Sequence, residues 1–156
     1  RDAPCRTAEI PLGMEIDPAA LPDVEGVDDE TRRMLIGRYG HGAIDVMRIA
    51  GGDPALARRI VPELADRLAE AVLAARREQA RGVADVLLRR TRLGLLDARN
   101  LTAPDAPGPR AVADAMAAEL GWDGMRVAKE LDDWYAVAAA EGLAPGEPVA
   151  DVTETA

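Results

Sequence analysis

The chain has 156 residues, of which 48% are hydrophobic, 30% charged and 3% aromatic, and its net charge is −9. This length fits one domain. The excess of acid argues against a general nucleic-acid-binding protein, which needs positive potential along the phosphates. The single cysteine excludes an internal disulfide and a multi-cysteine metal site. Alanine and leucine with Arg and Glu favour helices, so the composition predicts an all-α fold.

The first 27 residues are predicted to form an extended N-terminal arm. They contain Pro11, Pro18 and Pro22. Proline has no backbone N–H to donate, and it disfavours helix in the residue before it. We therefore expect residues 1–27 to be a connector, with only a short turn from Pro18 to Leu21.

Two short helices are predicted at the start of the helical region. Asp28 or Asp29 can cap the first helix, and an acid at that position also suits the helix dipole. Gly40 is expected to end this helix. The second helix is expected over residues 41–52, where apolar residues recur on one side and two glycines stop the pattern.

A third helix is predicted to start at Pro54. Asp53 is a suitable N-cap, and proline at the first helical position is a strong start signal because that position needs no N–H donor. Pro62 should end this helix, because proline removes a hydrogen bond from a helix interior.

The central segment has the clearest helical periodicity. Apolar residues recur at spacings of three and four, with one gap: Leu64, Leu68, Val72, Ala75, Val83, Val86 and Leu87. Gly82 lies in the gap, so we expect one helix to end near Ala80 and another to start at Val83. Gly82 would be the N-cap, with Asp85 in the first turn; one continuous helix is the alternative. Gly94 is expected to be a C-terminal cap.

Two more helices are predicted after a proline-rich loop at residues 100–110. Gly121 should close the first. Asp123 should cap the second, Gly142 should end it, and its apolar stripe is Val127, Leu131, Trp134 and Ala138. Residues 143–156 carry prolines and several acids and are predicted to be a disordered tail. The predicted fold is a compact all-α bundle of about six to eight helices over residues 28–142.

Sequence motifs for catalysis, cofactor binding or metal binding are missing from the chain. There is no glycine-rich dinucleotide turn and no phosphate loop. His41 is the only histidine, and a lone histidine at a helix start is more often a cap or surface residue than a general base. The acids are scattered, whereas a magnesium site needs converging oxygens. We therefore predict no catalytic, cofactor-binding or metal-binding residue in this chain, and no membrane-spanning helix.

Arginines concentrate between residues 76 and 92. That stretch has six arginines and two acids, a local charge of +4 in an acidic chain. One interpretation is a solvated face whose exposed ion pairs contribute about 0–1 kcal/mol each. A second is nucleic-acid binding, which the lack of interleaved aromatic residues disfavours. A third is docking on another domain, where the planar guanidinium can hold carboxylate or carbonyl oxygens.

Three stretches resemble a known family in order and spacing. They are LIGRYGHGAIDVMRIAGG, LAEAVLAARREQARGVADVLLRRTRLGLL and MAAELGWDGMRVAKELDDWYAVA. Together they resemble the C-terminal helical domain of aerobic, FAD-dependent glycerol-3-phosphate dehydrogenases, over residues 5 to 142. The string from Arg89 to Gly94 matches the pattern R-R-T-x-x-G. The chain departs from the family at Ala84, where Glu is usual, and at Gly82, where a capping Thr is common.

The resemblance implies that catalysis and structural support belong to different domains of the full-length enzyme. In such enzymes a preceding domain binds FAD and glycerol 3-phosphate, and electrons pass through the flavin to membrane quinone. This chain, which starts at Arg1 and is expected to be processed or part of a longer chain, would support that domain without contributing a catalytic residue. Alone it should be inactive, bind no FAD and expose a surface that favours self-association. The whole enzyme would be cytoplasmic or peripheral on the inner face of the cell membrane.

The resemblance also gives the arginine cluster a role. Arg89, Arg90 and Arg92 are expected to face partly inward and to tie the central helix either to neighbouring helices or to the missing FAD and substrate domain. Tyr39 is the fourth residue expected to dock on that domain. The alternative is a free-standing helical module that binds another protein through its arginine-rich face. A helical nucleic-acid-binding regulator is a third interpretation, which the net charge disfavours.

Overall fold

All the regular secondary structure in the described part of the chain, apart from one bridge, is helical. The structure is a computed structural model that describes Glu9 and residues 16–143. Within that part, Arg59 and Arg67 form an isolated antiparallel bridge, and no longer strand is present. The predicted all-α bundle is confirmed. Its helices are α1 (Asp29–Tyr39), α2 (Gly42–Gly52), α3 (Leu68–Arg77), α4 (Leu93–Leu96), α5 (Ala98–Leu101), α6 (Pro107–Leu120) and α7 (Gly124–Ala140), with a π-helical turn at Asp85–Arg90.

The predicted connector and tail fall mostly outside the described residues. The tail, residues 143–156, is described at its first residue only, and the connector, residues 1–27, mainly in its second half. There the expected turn is present as a 3-10 turn at Pro18–Ala20. Leu21 and Val24, which follow it, are buried. This part of the connector therefore packs against the helices.

Helix α3 lies between two apolar clusters and belongs to both. All of its residues from Leu68 to Ala75 are buried. One cluster joins it to α1, α2 and the end of the connector; the other joins it to the π-helical turn, α4, α6 and α7. A helix that is apolar on every side is stable only inside a core. The segment predicted from periodicity is therefore the centre of the domain.

The predicted side-chain caps of α1 and α7 are present. Asp28 accepts a hydrogen bond from the Thr31 backbone N–H at 2.8 Å, and Asp123 accepts one from the Arg126 backbone N–H at 2.7 Å. Each carboxylate satisfies a donor that the first turn of a helix leaves without an intrahelical partner. Helix α1 ends before Gly40, as expected.

The helix predicted to start at Pro54 is wrong. The segment from residue 53 to residue 67 forms turns, and two of its backbone carbonyls accept hydrogen bonds from the start of α3. The carbonyl of Leu56 accepts from Ala69 N at 2.9 Å, and the carbonyl of Arg58 accepts from Leu68 N at 3.0 Å. Asp53 does accept from a backbone N–H two residues later, but it starts a turn. Backbone N–H groups of α3 thus donate to carbonyls that would accept hydrogen bonds within the segment if it were a helix.

The predicted break near Gly82 is confirmed, but its geometry differs from the expectation. The Asp85 carboxylate accepts the backbone N–H groups of Arg81 and Gly82, at 2.8 and 3.1 Å. Helical turns resume at Val83 and widen into the π-helical turn. The side chain of Asp85 therefore supplies the cap that the sequence assigned to Gly82.

The prediction that Gly94 is a helix C-cap is wrong. Gly94 lies inside α4 and is buried. A Cβ atom there would lie 2.8 Å from Leu88 Cδ2 and 3.0 Å from Trp134 Cη2, so the position needs glycine for close packing. The left-handed residue at this corner is Arg92, with φ of 63°.

The loop predicted over residues 100–110 is shorter in the structure. Helix α5 extends to Leu101 and α6 already begins at Pro107. Pro107 and Pro109 both fit in the first turn of α6, because the N–H groups of that turn have no intrahelical acceptor. Proline content alone therefore overestimated the loop.

Candidate domain-docking site

The three arginines predicted to dock lie on and just after the π-helical turn. The side chain of Arg89 is 66% exposed, and its Nη1 lies 2.5 Å from Asp85 Oδ1. The side chain of Arg90 is 41% exposed and donates from Nη2 to the carbonyl oxygen of Glu78 at 2.6 Å. Arg92 is exposed, and no hydrogen bond or ion pair to its side chain occurs within residues 16–143. Arg89 and Arg92 thus lie at the surface of this chain instead of facing partly inward, whereas Arg90 contacts Glu78, the C-cap residue of α3. The docking role of all three stays a prediction.

Two leucines extend this exposed surface. Leu95 and Leu96 of α4 are 62% and 65% exposed, whereas Leu93 of the same helix is buried. Adjacent exposed apolar side chains beside polar ones are typical of interaction surfaces. We name this set the arginine–leucine surface: Arg89, Arg90, Arg92, Leu95 and Leu96.

Left-handed backbone conformations occur before and after the π-helical turn. Gln79 and Arg92 have φ angles of 60° and 63°, and the π-helical turn lies between them. A non-glycine residue in the left-handed region costs roughly 1–2 kcal/mol, and π-turns are frequent at functional sites. The fully buried Val86 and Leu87 hold the turn in place from inside. This geometry supports a functional role for the segment.

Tyr39, the fourth predicted docking residue, has its contacts inside the domain. Its hydroxyl donates to Glu70 Oε2 at 2.9 Å, and the Arg38 guanidinium carbon lies 6.0 Å from its ring centre. Arg38 Nη1 donates to the same Glu70 oxygen at 2.6 Å and also to Asp66 Oδ1. Tyr39 therefore joins α1 to α3, and its docking role stays a prediction.

A second set of contacts extends from Glu70 through Arg67. The backbone N–H of Arg67 donates to Glu70 Oε1 at 2.7 Å, and its Nη2 donates to Thr31 Oγ1 at 2.7 Å. Arg59 Nη2 lies 2.6 Å from Asp28 Oδ2. These contacts join α1, the turns before α3 and α3 itself. We name the charged groups the ionic network: Asp28, Arg38, Arg59, Asp66, Arg67 and Glu70.

Burial and close charges shift several pKa values in the ionic network. Burial, and then the nearby Asp66 carboxylate, raise the pKa of Glu70, which outweighs the opposite effect of Arg38. Burial and the Glu70 charge raise the pKa of Tyr39. The hydrogen bond from the Thr31 backbone N–H, with a contribution from Arg59, lowers the pKa of Asp28 well below its usual range. Tyr39 is therefore a neutral donor at physiological pH.

The ionic network has a structural role. Its most buried member, Glu70, accepts three hydrogen bonds from this chain, so its carboxylate has little capacity left for a ligand. Sequence reasoning missed this network. Glu70 could have predicted it, because Glu70 is the single charged residue in the apolar run from Leu68 to Ala75. A charged residue that is buried in a core needs hydrogen-bond or ion-pair partners there.

A metal site, a membrane-spanning helix and a catalytic histidine are not expected from the sequence. No group of three or more potential metal ligands occurs there. No helix of that part of the chain has both the length and the apolar character needed to cross a membrane. His41 precedes α2, is exposed and makes no capping hydrogen bond with its side chain.

Residues 5–127 match the model of a protein family described as the C-terminal domain of alpha-glycerophosphate oxidase. The chain belongs to this family. Curated relatives named glycerol-3-phosphate dehydrogenase 2, from Mycobacterium tuberculosis and Mycobacterium bovis, are 30% identical over 125 residues, which is 80% of this chain and 21% of each relative. A glycerol-3-phosphate dehydrogenase of Synechocystis is 33% identical over 99 residues, 60% of this chain and 18% of the relative. No solved structure matches the chain.

The comparison confirms the resemblance seen in the sequence at the level of family. The match includes the whole arginine–leucine surface and the whole ionic network. It ends at Val127, in the second turn of α7. The chain spans about a fifth of the length of the dehydrogenases that it matches.

Proposed function

We propose that this chain is the C-terminal domain of an FAD-dependent glycerol-3-phosphate dehydrogenase and supports a preceding catalytic domain. The full-length protein would oxidise glycerol 3-phosphate to dihydroxyacetone phosphate and pass the electrons to quinone, in the cytoplasm or at the inner face of the membrane. The observation that carries the proposal is the family match over residues 5–127. The short span of the chain relative to its relatives leaves room for a catalytic domain.

The described residues do not fit FAD. A dinucleotide commonly binds where a parallel strand leads through a glycine-rich turn into a helix, and residues 16–143 contain no such strand. A groove of about 740 Å³ beside α7 is lined by Asp105, Asp132 and Arg110. Arg110 is already paired with Asp114, so the two carboxylates, which are unpaired within residues 16–143, would repel a pyrophosphate. We therefore assign flavin binding and hydride transfer to the preceding domain and derive no catalytic step for this chain.

The supporting role rests on the arginine–leucine surface. Arg89, although it pairs with Asp85, is mostly exposed, and Arg92, Leu95 and Leu96 are exposed as well. Arginine binds carboxylates with two parallel hydrogen bonds, and apolar side chains add burial at an interface. Docking of this surface would hold the preceding domain in its flavin-binding form.

A full-length variant that keeps the backbone conformation provides the test. Arg92→Gly retains the left-handed corner, because glycine adopts positive φ at little cost. Combined with Arg89→Ala, it removes two charge-assisted contacts, each worth about 1.5–3 kcal/mol. We expect the temperature of flavin release to fall by roughly 5 °C. The control is Arg48→Ala with Arg110→Ala, which removes the same charge from exposed positions elsewhere.

The measurements are flavin absorbance per polypeptide and the temperature at which flavin fluorescence appears. A lower release temperature in the docking variant than in the control supports the proposal. Equal release temperatures in both variants would show that the arginines do not hold the flavin domain. A purified 156-residue chain that carries bound flavin would contradict the division of labour.

A further inference from the structure

Glu130 is the charged member of the buried face of α7. The buried residues of this helix are Val127, Glu130, Trp134 and Ala138, and spacings of three and four place them on one side. A charged group in an apolar core costs free energy unless other groups satisfy it. The contacts of Glu130 therefore indicate why an acid occupies this position.

The two oxygens of the Glu130 carboxylate have different partners. Oε2 accepts the backbone N–H of Val83 at 3.3 Å, and Oε1 lies 2.5 Å from Arg126 Nη2. Val83 begins the helical turns that lead into the π-helical turn, and an N–H group at a helix start has no partner within the helix. Asp85 accepts the two preceding N–H groups. Glu130 therefore completes, from α7, the cap that Asp85 begins.

Gly82 lets the carboxylate reach Val83. A Cβ atom at Gly82 would lie 2.6 Å from Glu130 Oε2, which is too close for two atoms that are not bonded. Gly82 does not lie in the left-handed region, so its backbone conformation is open to other residues. The need for glycine at this position therefore comes from Glu130.

A similar arrangement occurs at Gly94, after the arginines. A Cβ atom at Gly94 would lie 3.0 Å from Trp134 Cη2. Trp134 follows Glu130 by four residues, so both side chains leave α7 on the same face. We name residues 82–94, which carry the three arginines of the arginine–leucine surface, the arginine segment. One face of α7 thus contacts both ends of the arginine segment, each time beside a glycine.

We propose that Glu130 is a positioning residue for the arginine–leucine surface. Its carboxylate, which Arg126 fixes, attaches the first turn of the arginine segment to α7. The attached segment then presents Arg89 and Arg92 to the preceding domain. This docking step rests on the proposed function, whereas the attachment of the segment to α7 does not.

A double-mutant cycle in the 156-residue chain tests the attachment. Glu130→Ala leaves the buried Val83 N–H without an acceptor, and Gly82→Ala forces the carboxylate away from it. Each change should lower the melting temperature by about 3–6 °C. In the Glu130→Ala background the space beside residue 82 is free, so Gly82→Ala should leave the melting temperature unchanged or raise it.

The matched control is Asp133→Ala. It removes the same charge from α7 together with an ion pair to Lys129, but from an exposed position. We expect a fall of less than about 2 °C. Falls that add in the double variant of Gly82 and Glu130, or a fall in Glu130→Ala no larger than that of the control, would overturn the proposal.

Hydrogen exchange followed by mass spectrometry separates a local effect from a general loss of stability. Glu130→Ala should speed amide exchange in the arginine segment at least about tenfold. Exchange in α2, which belongs to the other apolar cluster, should change much less. An equal increase in both regions would contradict a positioning role, because Glu130 would then act only on global unfolding.

The full-length protein tests the docking step. Glu130→Ala should lower the flavin-release temperature, and it should add little when Arg89→Ala and Arg92→Gly are already present, because all three changes act through one surface. Additive falls, or no fall with Glu130→Ala where the arginine variant shows one, would refute the positioning role. An unchanged release temperature in the arginine variant alone would refute the docking proposal instead, and the double-mutant cycle would still decide whether Glu130 attaches the segment.

Discussion

Glu70 offers the sharpest test of how this fold is held together. This residue is 1% exposed, and its carboxylate accepts hydrogen bonds from Arg38 Nη1 at 2.6 Å, the Tyr39 hydroxyl at 2.9 Å and the Arg67 backbone N–H at 2.7 Å. The variants to compare are Glu70→Gln, which keeps the shape and loses the charge, and Glu70→Leu, which removes every acceptor. Glu63→Gln is the control, because Glu63 is exposed.

The structure sets the expected size of each effect. Glu70→Leu leaves the tyrosine hydroxyl and a buried backbone N–H without an acceptor, and Arg38 keeps only Asp66. Loss of one partner in a buried ion pair typically costs about 3–5 kcal/mol, a large part of the roughly 5–15 kcal/mol that stabilises a domain. Glu70→Gln keeps one acceptor oxygen but puts an amide donor against Arg38 or Tyr39, and we expect a cost of about 1–3 kcal/mol.

The dependence on pH gives a second, independent result. The pKa of Glu70 is raised in the folded chain, so the folded state binds its proton more tightly than the unfolded state. The stability due to this group is complete below its unfolded pKa, near 4.5, and declines as pH rises through the folded pKa. Glutamine does not titrate. The difference in stability between the native chain and Glu70→Gln should therefore be larger at pH 4 than at pH 8.

Urea unfolding followed by circular dichroism at several pH values measures both quantities. Equal midpoints for the native chain, Glu70→Gln and Glu63→Gln would refute the argument, because a buried acceptor of three hydrogen bonds cannot be lost without cost. A constant difference between native and Glu70→Gln from pH 4 to pH 8 would refute the raised pKa.

Two further predictions concern the cap of α1 and the packing of α4. Asp28→Asn should lower stability by about 1 kcal/mol at pH 7, because asparagine caps as well as aspartate, and the ion pairs that are lost, with Arg59 and at 3.5 Å with Arg67, are screened by solvent at the half-exposed carboxylate. Since the pKa of Asp28 is lowered, this difference should shrink as pH falls below about 4, which acid titration of unfolding would show. Gly94→Ala should cost about 1–3 kcal/mol through overpacking, whereas Gly37→Ala, which meets no atom within 4 Å, should stabilise α1 by up to about 1 kcal/mol; thermal melts that show equal effects would contradict this.

The correct sequence predictions are those with local causes. Asp28 and Asp123 cap helices because their carboxylates reach a backbone N–H three residues later. The periodic run around Leu68 is the centre of the core because apolar surface must be buried. The family assignment likewise followed from motif order and spacing.

The wrong predictions concern residues whose partners lie far along the chain. Pro54 follows a suitable cap, yet its segment gives its carbonyls to the start of α3. Gly94 looks like a helix end, yet it is needed where Trp134 packs. Neither contact leaves a trace in the neighbouring sequence.

The features of the candidate site also fall into those predicted from local sequence and those set by tertiary packing. The sequence by itself determined the all-α class, the helix caps, the central apolar helix and the concentration of arginines at residues 76–92, because each depends on spacing along the chain. Only the tertiary structure decided that Tyr39 bonds to Glu70, that Arg92 adopts a left-handed conformation and that Gly94 lies buried inside α4. Those features depend on contacts between helices that are far apart in the sequence, and these contacts are determined only when the whole chain packs.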